Sequence, residues 1–484
     1  MLFSSVTFLV FFLPAVLLLY YIIPNLTYKN CVLLFASLLF YAWGEPRFVI
    51  LMFASIVLNY IFGLLLGKNL KHKKLLLSIS IIINLGVLFV FKYLGFTCTV
   101  IDIFLNALHI QPLTVINLVL PIGISFYTFQ EISYLVDVYR SPELAQKNLL
   151  SLGLYISFFP QLIAGPIVRY HDINEQISKR SVSISSFSDG MERFIIGLSK
   201  KVLLANSFAL VCDSIYNSIF FSYGTYLSWV AAFAYAMQIY YDFSGYSDMA
   251  IGLAKLFGFE LLENFNYPYA ASSITDFWKR WHISLTNFFR DYVYIPLGGN
   301  RKGKVRTILN RFIVFFTTGL WHGAAFNFIL WGLGHGTLMI AERSLQKKNK
   351  ESPKPLIVVK KCLGHIYTLI AVMLLWVLFR NDIGMTIKLI LKMFGINYSR
   401  FTEFQPFYYD ELISPKIGMS FYLFAFIGIL FSFPWWRKFS FIMKNSFIEK
   451  TVTIIKYIAI IVLFVLCYAN LAGNSYNPFI YFRF

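Results

Sequence analysis

Two histidines stand out in a strongly apolar sequence. His322 lies between Trp321 and Gly323 in a hydrophobic segment, and His282 lies in an upstream block rich in tryptophan and arginine. Histidine is the side chain most often used for proton transfer, and an ionisable group at membrane depth is a functional-site hypothesis by default. The alternatives are a core histidine bonded to a neighbouring helix for His322, and an interfacial histidine that snorkels to water for His282.

The composition indicates a membrane protein. Of the 484 residues, 58% are hydrophobic, 19% are aromatic and 13% are charged, and apolar runs recur from one end to the other. Because a span needs roughly 20 apolar residues, we expect about ten to twelve spans, some of them short, broken or re-entrant. The predicted fold is an all-α polytopic transmembrane protein with a single membrane domain over residues 1–484.

The segment around His322 is predicted to break. Eleven helical residues separate it from the basic Arg311, which advances the chain by about 16 Å and brings it close to the middle of a bilayer. Residues 312–341 are bounded by basic residues on both sides and are too few for two full crossings of roughly 20 residues each. A broken or re-entrant helix pair that turns near Gly319 and Gly323 fits better.

The charge distribution argues for membrane topology rather than nucleic-acid binding. The chain carries 42 basic and 23 acidic residues, a formal charge of +19. The basic residues cluster between apolar runs, as the positive-inside rule predicts for cytoplasmic loops. If successive spans cross the membrane in opposite directions from these loops, the C-terminal aromatic tail, residues 474–484, lies on the extracytoplasmic side. Nucleic acid is not an expected partner, because the basic clusters fit cytoplasmic loops. The cysteines lack the spacing of a metal site, so no metal is expected.

Five stretches carry a family resemblance. They are Phe159-Pro-Gln-Leu-Ile-Ala-Gly-Pro166, Tyr241-Asp-Phe-Ser-Gly-Tyr-Ser-Asp-Met-Ala250, Glu263-Asn-Phe-Asn-Tyr-Pro-Tyr269, the block from Trp278 to Gly299, and Gly319-Leu-Trp-His-Gly323. The matches occur in this order along the chain, and together with the hydrophobic opening they extend over most of it. On these residues the chain resembles the membrane-bound O-acyltransferases, in particular the bacterial branch with the membrane subunits of alginate and peptidoglycan O-acetylation and the D-alanyl transferase of teichoic acids.

The resemblance implies an acyltransferase with His322 as the essential histidine and His282 as the second functional one. A neutral imidazole can take the proton of an attacking hydroxyl, and desolvation helps to keep it neutral. We therefore expect a bacterial inner-membrane enzyme with a central channel. It would pass acetyl groups from cytosolic acetyl-CoA, or another thioester, to the outer face for O-acetylation of an alginate-like polysaccharide or peptidoglycan.

Two further groups of residues are candidates for this chemistry. The basic loop with Arg301, Lys302 and Arg306 could hold the phosphates of the donor electrostatically, or it could reflect ordinary positive-inside bias. The tail resembles an aromatic motif that, in the D-alanyl system, offers a tyrosine as an acyl relay. Tyr481 is the corresponding candidate carrier, and the alternative is an interfacial aromatic anchor.

The resemblance also implies partners. The chain has no external domain large enough to grip a polymer, so we expect an extracytoplasmic partner of the SGNH hydrolase-like type to complete the transfer, with the polysaccharide contacted indirectly and membrane lipid around the helices. Two other functions stay open. One is a D-alanyl transferase fed by a carrier protein, and the other is a transporter or flippase without covalent chemistry, which would also explain broken helices and a buried histidine.

Overall fold

The computed structural model describes residues 1–113, 118–216, 224–345, 354–396, 418–435, 446–473 and 476–480. Across these ranges the backbone forms helices, turns and connecting segments and no β-strand. The predicted all-α fold is confirmed. The helices are α1 Leu13–Ile22, α2 Leu26–Gly44, α3 Phe48–Gly67, α4 Lys73–Leu88, α5 Leu94–Ala107, α6 Ile124–Arg140, α7 Leu149–Ser157, α8 Phe159–Leu162, α9 Tyr170–Ser178, α10 Ile184–Ser199, α11 Asn206–Tyr216, α12 Thr225–Leu256, α13 Ile274–Trp278, α14 Ile283–Phe289, α15 Gly303–His322, α16 Phe326–Leu345, α17 Lys354–Arg380, α18 Ile383–Met393, α19 Met419–Phe431 and α20 Ser446–Gly473.

Several of these helices have the length and composition of membrane spans. Within the described ranges, six helical stretches are long and apolar enough to cross a bilayer, and two shorter apolar helices accompany them. The protein is a multi-pass membrane protein, as predicted. The six stretches are Leu26–Gly44, Phe48–Gly67, Lys73–Ala107, Ile184–Tyr216, Ile357–Arg380 and Lys450–Gly473, and the shorter helices are Phe8–Ile22 and Met419–Phe431.

The chain divides into two compact units. The first contains Met1–Phe194, Ser247–Leu262 and Gly323–Ala325, and the second contains Ile195–Tyr246, Glu263–His322 and Phe326–Phe484. Both candidate histidines belong to the second unit. The single membrane domain over residues 1–484 stays a prediction.

Aromatic side chains from distant segments form the core of the first unit. Phe8 and Phe12 stack at 5.5 Å, and Phe40 lies 5.5 Å from Phe3 and 5.6 Å from Phe159 between ring centroids. All five rings are buried. Such pairs add about 0.5–1.5 kcal/mol each beyond the area that they bury.

The predicted break near His322 is present in the structure. Helix α15 ends at His322 and α16 begins at Phe326, so the turn occupies residues 323–325. Gly323 therefore lies in the turn, as predicted. Gly319 does not, because it continues α15, and its role is to allow contact between the two helices.

Two glycines let α15 and α16 pack backbone against backbone. A Cβ added at Gly319 would lie 2.3 Å from the carbonyl oxygen of Phe328, and one at Gly332 would lie 2.2 Å from that of Phe315. Because no side chain fits there, the helices run antiparallel at very close range. This packing fixes the end of α15 and with it the main chain at His322.

Gly332→Ala tests this packing. We expect the variant to lose about 1–3 kcal/mol of unfolding free energy, because backbone atoms rather than a flexible side chain must move. The measurement is the midpoint of thermal unfolding in detergent. Gly86→Ala in α4 is the matched control, since an added Cβ there meets nothing within 4 Å and replaces glycine inside a helix. Equal midpoints for the two variants would contradict the close approach.

Candidate active site

His322 lies in a box of aromatic rings. It is the last residue of α15 and is 9% exposed. The ring centroids of Trp321, Trp331 and Phe379 lie 4.9, 5.1 and 5.2 Å from that of the imidazole. Trp331 and Phe379 meet it edge-on, at interplanar angles of 89° and 81°. The rings around His322 therefore come from α15, α16 and α17.

A small cavity adjoins this histidine. Its volume is about 20 Å³, enough for about one water molecule. The lining residues come from the helices α12, α15 and α17, from the turn between α13 and α14, and from the C-terminal segment. His322 is the ionisable side chain among them. The lining residues are Ile239, Phe243, Trp281, His322, Trp376, Phe379, Phe479 and Ile480.

His282 is held in a defined tautomer. It is fully buried, and its Nδ1 lies 3.1 Å from Oδ1 of Asn264. The backbone N–H of Ser284 donates to the same oxygen over 3.3 Å, and the Ser284 hydroxyl donates to it over 2.9 Å. A backbone N–H can only donate, so this Asn264 atom is an acceptor. Nδ1 of His282 therefore carries the proton, and Nε2 keeps its lone pair.

The environment keeps His282 neutral. It lies between α13 and α14, outside the candidate spans, and burial lowers its pKa to about 3. Its Nε2 makes no hydrogen bond to another described residue. A buried lone pair without a partner is costly unless a ligand or water occupies it. His282 is thus a preorganised hydrogen-bond acceptor.

The structure brings the two histidines to the same tryptophan. The ring of Trp321 lies 5.9 Å from that of His282 and 4.9 Å from that of His322. Phe243, which lines the small cavity, meets His282 edge-on at 4.7 Å. The two histidines, forty positions apart in sequence, therefore share one aromatic cluster. Holding His282 there requires a left-handed backbone, φ 46° and ψ 54°, which is uncommon for a residue other than glycine.

The predicted donor-binding residues lie elsewhere. Arg301, Lys302 and Arg306 are exposed and do not line the cavity beside His322. A separate, open pocket of about 310 Å³ is lined by three other arginines, Arg290, Arg311 and Arg343. It is lined by Trp278, Leu285, Thr286, Phe289, Arg290, Tyr294, Asn300, Arg311, Val314, Phe315, Thr318, Met339 and Arg343.

The C-terminal segment reaches the cavity. Phe479 and Ile480 are 5% and 3% exposed and form part of its wall. The ring of Phe479 stacks on Tyr246 at 4.9 Å. Tyr481, the predicted carrier, lies outside the described residues.

Comparison with known proteins identifies the family. Residues 87–379 match the model of the membrane-bound O-acyltransferase family. The chain belongs to this family. It is an O-acyltransferase, and the resemblance seen in the sequence is confirmed.

Relatives of this acyltransferase are named for alginate, peptidoglycan or teichoic acid. A probable alginate O-acetylase, AlgI, from Pseudomonas putida is 37% identical over the whole of both chains. A peptidoglycan O-acetyltransferase from Helicobacter pylori is 34% identical over 82% of this chain and 80% of its own. A teichoic acid D-alanyltransferase from Bacillus subtilis is 30% identical over 49% of this chain and 62% of its own.

Sequence reasoning missed the residues that hold the acyltransferase site together. Asn264 fixes the tautomer of His282, and Lys201 forms a buried ion pair with Asp242 beside the C-terminal segment. Asn264 lies in one of the stretches that carried the resemblance, but nothing there indicates its partner. Lys201 could have been found as a lysine inside an apolar run, which needs an internal partner.

Asn264→Asp tests the neutral state of His282. The new carboxylate favours the imidazolium, so it raises the pKa of His282, and the protonated ring loses the Nε2 lone pair. We expect acyl transfer by the variant to rise with pH through the raised pKa, whereas His282 of the wild type, with a pKa of about 3, does not titrate above about pH 5.

The measurement is the pH profile of kcat/KM between about pH 5 and 9. Asn310→Asp is the matched control, because Asn310 is equally buried but donates to the carbonyl of Gly299. A profile for Asn264→Asp that has the same shape as the wild-type profile would rule out His282 as a neutral acceptor in the reaction.

Proposed function

We propose that the protein moves acetyl groups from a cytosolic thioester donor, acetyl-CoA, across the membrane for O-acetylation of an alginate-like secreted polysaccharide or of peptidoglycan. The observation that carries the proposal is the small, mostly apolar cavity that His322 lines together with Phe479 and Ile480. The relatives that span the whole chain support the acetyl group and the polymer class, because their names describe alginate O-acetylases.

His322 is the general base in this proposal. The hydroxyl oxygen of the acceptor attacks the thioester carbonyl while the imidazole takes the hydroxyl proton. The carbon–sulfur bond then breaks, and the leaving thiolate receives the proton from the imidazolium, which returns His322 to its neutral form. The apolar rings around His322 support this role, because a neutral imidazole is the form that can act as a base.

His282 has a supporting role in the same reaction. Its Nε2 accepts a hydrogen bond from a donor in the site, such as the acceptor hydroxyl or a water molecule. The support is the tautomer fixed by Asn264 and the missing partner on Nε2 among the described residues. His282 thereby orients the attacking group, and His322 removes its proton.

Tyr481 is the first acceptor of the acetyl group. The phenol oxygen attacks the thioester carbonyl, and the carbon–sulfur bond breaks as described for the general acceptor. A hydroxyl of the polymer or of a partner protein then attacks the acetyl carbonyl, the bond to the phenol oxygen breaks, and the phenol oxygen takes up the proton that the hydroxyl has lost. The support is the position of the preceding residues, since Ile480 lines the cavity with His322 and consecutive Cα atoms are about 3.8 Å apart. The transfer of the acetyl group then takes the place of transport of the donor.

The donor approaches through the basic part of the second unit. Arg301, Lys302 and Arg306 are exposed and would attract the phosphates of acetyl-CoA from solution. Arg290, Arg311 and Arg343 would then bind them in the open pocket. Thr318, which lines this pocket, precedes His322 by four residues on α15, a rise of about 6 Å.

The cellular setting follows from the polymer. We propose that the protein resides in the bacterial cytoplasmic membrane, surrounded by lipid, and hands the acetyl group to an extracytoplasmic SGNH-type acetyltransferase that grips the polysaccharide. A carrier-fed D-alanyl transferase is less well supported. The D-alanyltransferase from Bacillus subtilis matches about half of this chain, whereas the alginate-type relative from Pseudomonas putida matches all of it.

His322→Ala and Tyr481→Phe test the two central roles. Loss of a general base costs about 10²–10⁴ in rate, so we expect turnover of radiolabelled acetyl-CoA in liposomes to fall by that factor in His322→Ala. Tyr481→Phe removes the hydroxyl, so protein-bound label should disappear. The exposed His72→Ala is the matched control and should keep wild-type turnover.

The outcomes separate the alternatives. Full activity of Tyr481→Phe would rule out Tyr481 as the acyl carrier. Uptake of label without any acetyl transfer by the wild type would favour a transporter, and turnover with a D-alanyl carrier protein but not with acetyl-CoA would favour the D-alanyl transferase. His322→Gln, which keeps a side chain of similar size, separates loss of the base from loss of packing.

The two groups of basic residues are expected to act differently on the donor. Arg311→Gln should raise KM for acetyl-CoA by about tenfold at every salt concentration, because it removes a charge-assisted bond. Glutamine at Arg301, Lys302 and Arg306 together should lower kcat/KM at low salt and have little effect at about 0.5 M salt, because long-range attraction is screened. If the triple variant lost kcat/KM equally at all salt concentrations while Arg311→Gln left KM unchanged, the exposed residues would be the ones that bind the donor and Arg311 would not.

A further inference from the structure

A buried ion pair lies beside the C-terminal segment. Nζ of Lys201 is 2.8 Å from Oδ1 of Asp242, and the two side chains are 3% and 1% exposed. Removing two charges from water is expensive, and their mutual attraction offsets the cost only when further hydrogen bonds satisfy the remaining atoms. The partners of those further hydrogen bonds therefore indicate the structural role of the Lys201–Asp242 pair.

The additional bonds lead to the main chain of the C-terminal segment. Nζ of Lys201 donates to the carbonyl oxygen of Pro478, and the backbone N–H of Ile480 donates to Oδ2 of Asp242 over 2.7 Å. The lysine thus binds a main-chain acceptor and the aspartate binds a main-chain donor, and these two groups lie two residues apart in the C-terminal segment. Both contacts are independent of the side chains at 478 and 480.

Local backbone features bring the two charges together. Lys201 lies in the π-helical segment Lys200–Ala205 between α10 and α11, and such segments are frequent at functional sites. Gly245 follows Asp242 by one turn of α12, and a Cβ there would lie 2.8 Å from the carbonyl oxygen of Gly197. The close approach of the two backbones allows the side chains of Lys201 and Asp242 to meet.

Further contacts bind the same segment on either side of the pair. Tyr476 donates its hydroxyl to Oδ2 of Asp213 over 2.6 Å, and Nδ2 of Asn206 donates to Oδ1 of Asn477 over 3.2 Å. Asn206 also accepts from Nζ of Lys201 over 3.0 Å. Consecutive tail residues are therefore held by one polar groove of the second unit.

We propose that Lys201 and Asp242 form a main-chain clamp that binds the protein's own C-terminal segment and holds Phe479 and Ile480 as a wall of the cavity beside His322. The clamp is a binding site for the main chain of a peptide segment, and its two residues position the tail rather than touch the acyl group. The reason for holding the tail rests on the proposed function, in which the next residue, Tyr481, carries the acetyl group.

The competing explanation is that the pair only joins two helices. The double variant Lys201→Met/Asp242→Leu separates the two explanations, because well-packed apolar residues can replace a buried ion pair without loss of stability. The helices then stay together, but both polar partners of the tail backbone are gone. Tail release without unfolding is the signature of a clamp.

Cysteine labelling in detergent measures the release. Ile480→Cys reports on the tail, and Met393→Cys, in a second background, is a control of similar burial, with 2% exposure for Met393 against 3% for Ile480. Peptide mass spectrometry separates each reporter from the five native cysteines. We expect the double variant to speed maleimide labelling at position 480 by about tenfold or more, with position 393 still protected and the thermal midpoint retained.

Two outcomes would overturn the clamp. Unchanged labelling at position 480 would mean that the tail does not depend on the pair, and faster labelling at both positions would mean that the pair holds the helices together. This readout needs no substrate, so it remains decisive if the wild type transfers no acetyl group and the proposed function fails.

Acyl transfer by the same double variant, with Ile480 restored, tests the purpose of the clamp. We expect kcat to fall about tenfold or more with KM for acetyl-CoA unchanged, because the tail is displaced while the donor pocket is intact. Wild-type kcat together with faster labelling at position 480 would show that tail position does not matter for transfer, and would overturn the purpose assigned to the clamp while leaving His322 as the base.

Discussion

The arrangement of the site depends on satisfying charge inside an apolar, aromatic interior. Lys201 and Asp242 are almost completely removed from water, and each would be strongly destabilising alone. Their mutual contact accounts for part of their bonding capacity, and the backbone of the C-terminal segment accounts for more. The same interaction that stabilises the pair therefore positions residues 478–480, and Phe479 and Ile480 form one wall of the cavity beside His322.

The two histidines show how one aromatic cluster can support two kinds of chemistry. His282 has a fixed tautomer, because Asn264 and Ser284 define which ring nitrogen carries the proton. His322 lies at a helix end where Trp331 and Phe379 exclude water. In the proposed reaction, the fixed acceptor would orient a hydroxyl and the imidazole of His322 would deprotonate it. In the proposed reaction, side chains around the cavity of about 20 Å³ would have to move to admit an acyl group.

The sequence was sufficient for the features that depend on local pattern. Apolar runs predicted the helices, and the glycines around His322, with too few residues for two crossings, predicted the helix break that the structure has at residues 323–325. Gly319 was assigned to the turn, although it lies within α15, because a glycine that allows close packing cannot be told from a turn glycine without its neighbour. The family resemblance rested on several long stretches and was confirmed by the match over residues 87–379. The contacts of Asn264 with His282 and of Lys201 with Asp242 could not be predicted, since these partners lie 18 and 41 residues away in the chain and only the packing of the second unit brings them together.

The most direct test of the central claim is a structure by electron cryo-microscopy of the protein in lipid nanodiscs with a non-hydrolysable acetyl thioester bound. The account predicts density for the acyl carbonyl in the cavity lined by His322, with the backbone of residues 478–480 still bonded to Lys201 and Asp242. An acyl group bound at a distance from His322, or a C-terminal segment that lies away from the cavity while the donor is bound, would contradict it.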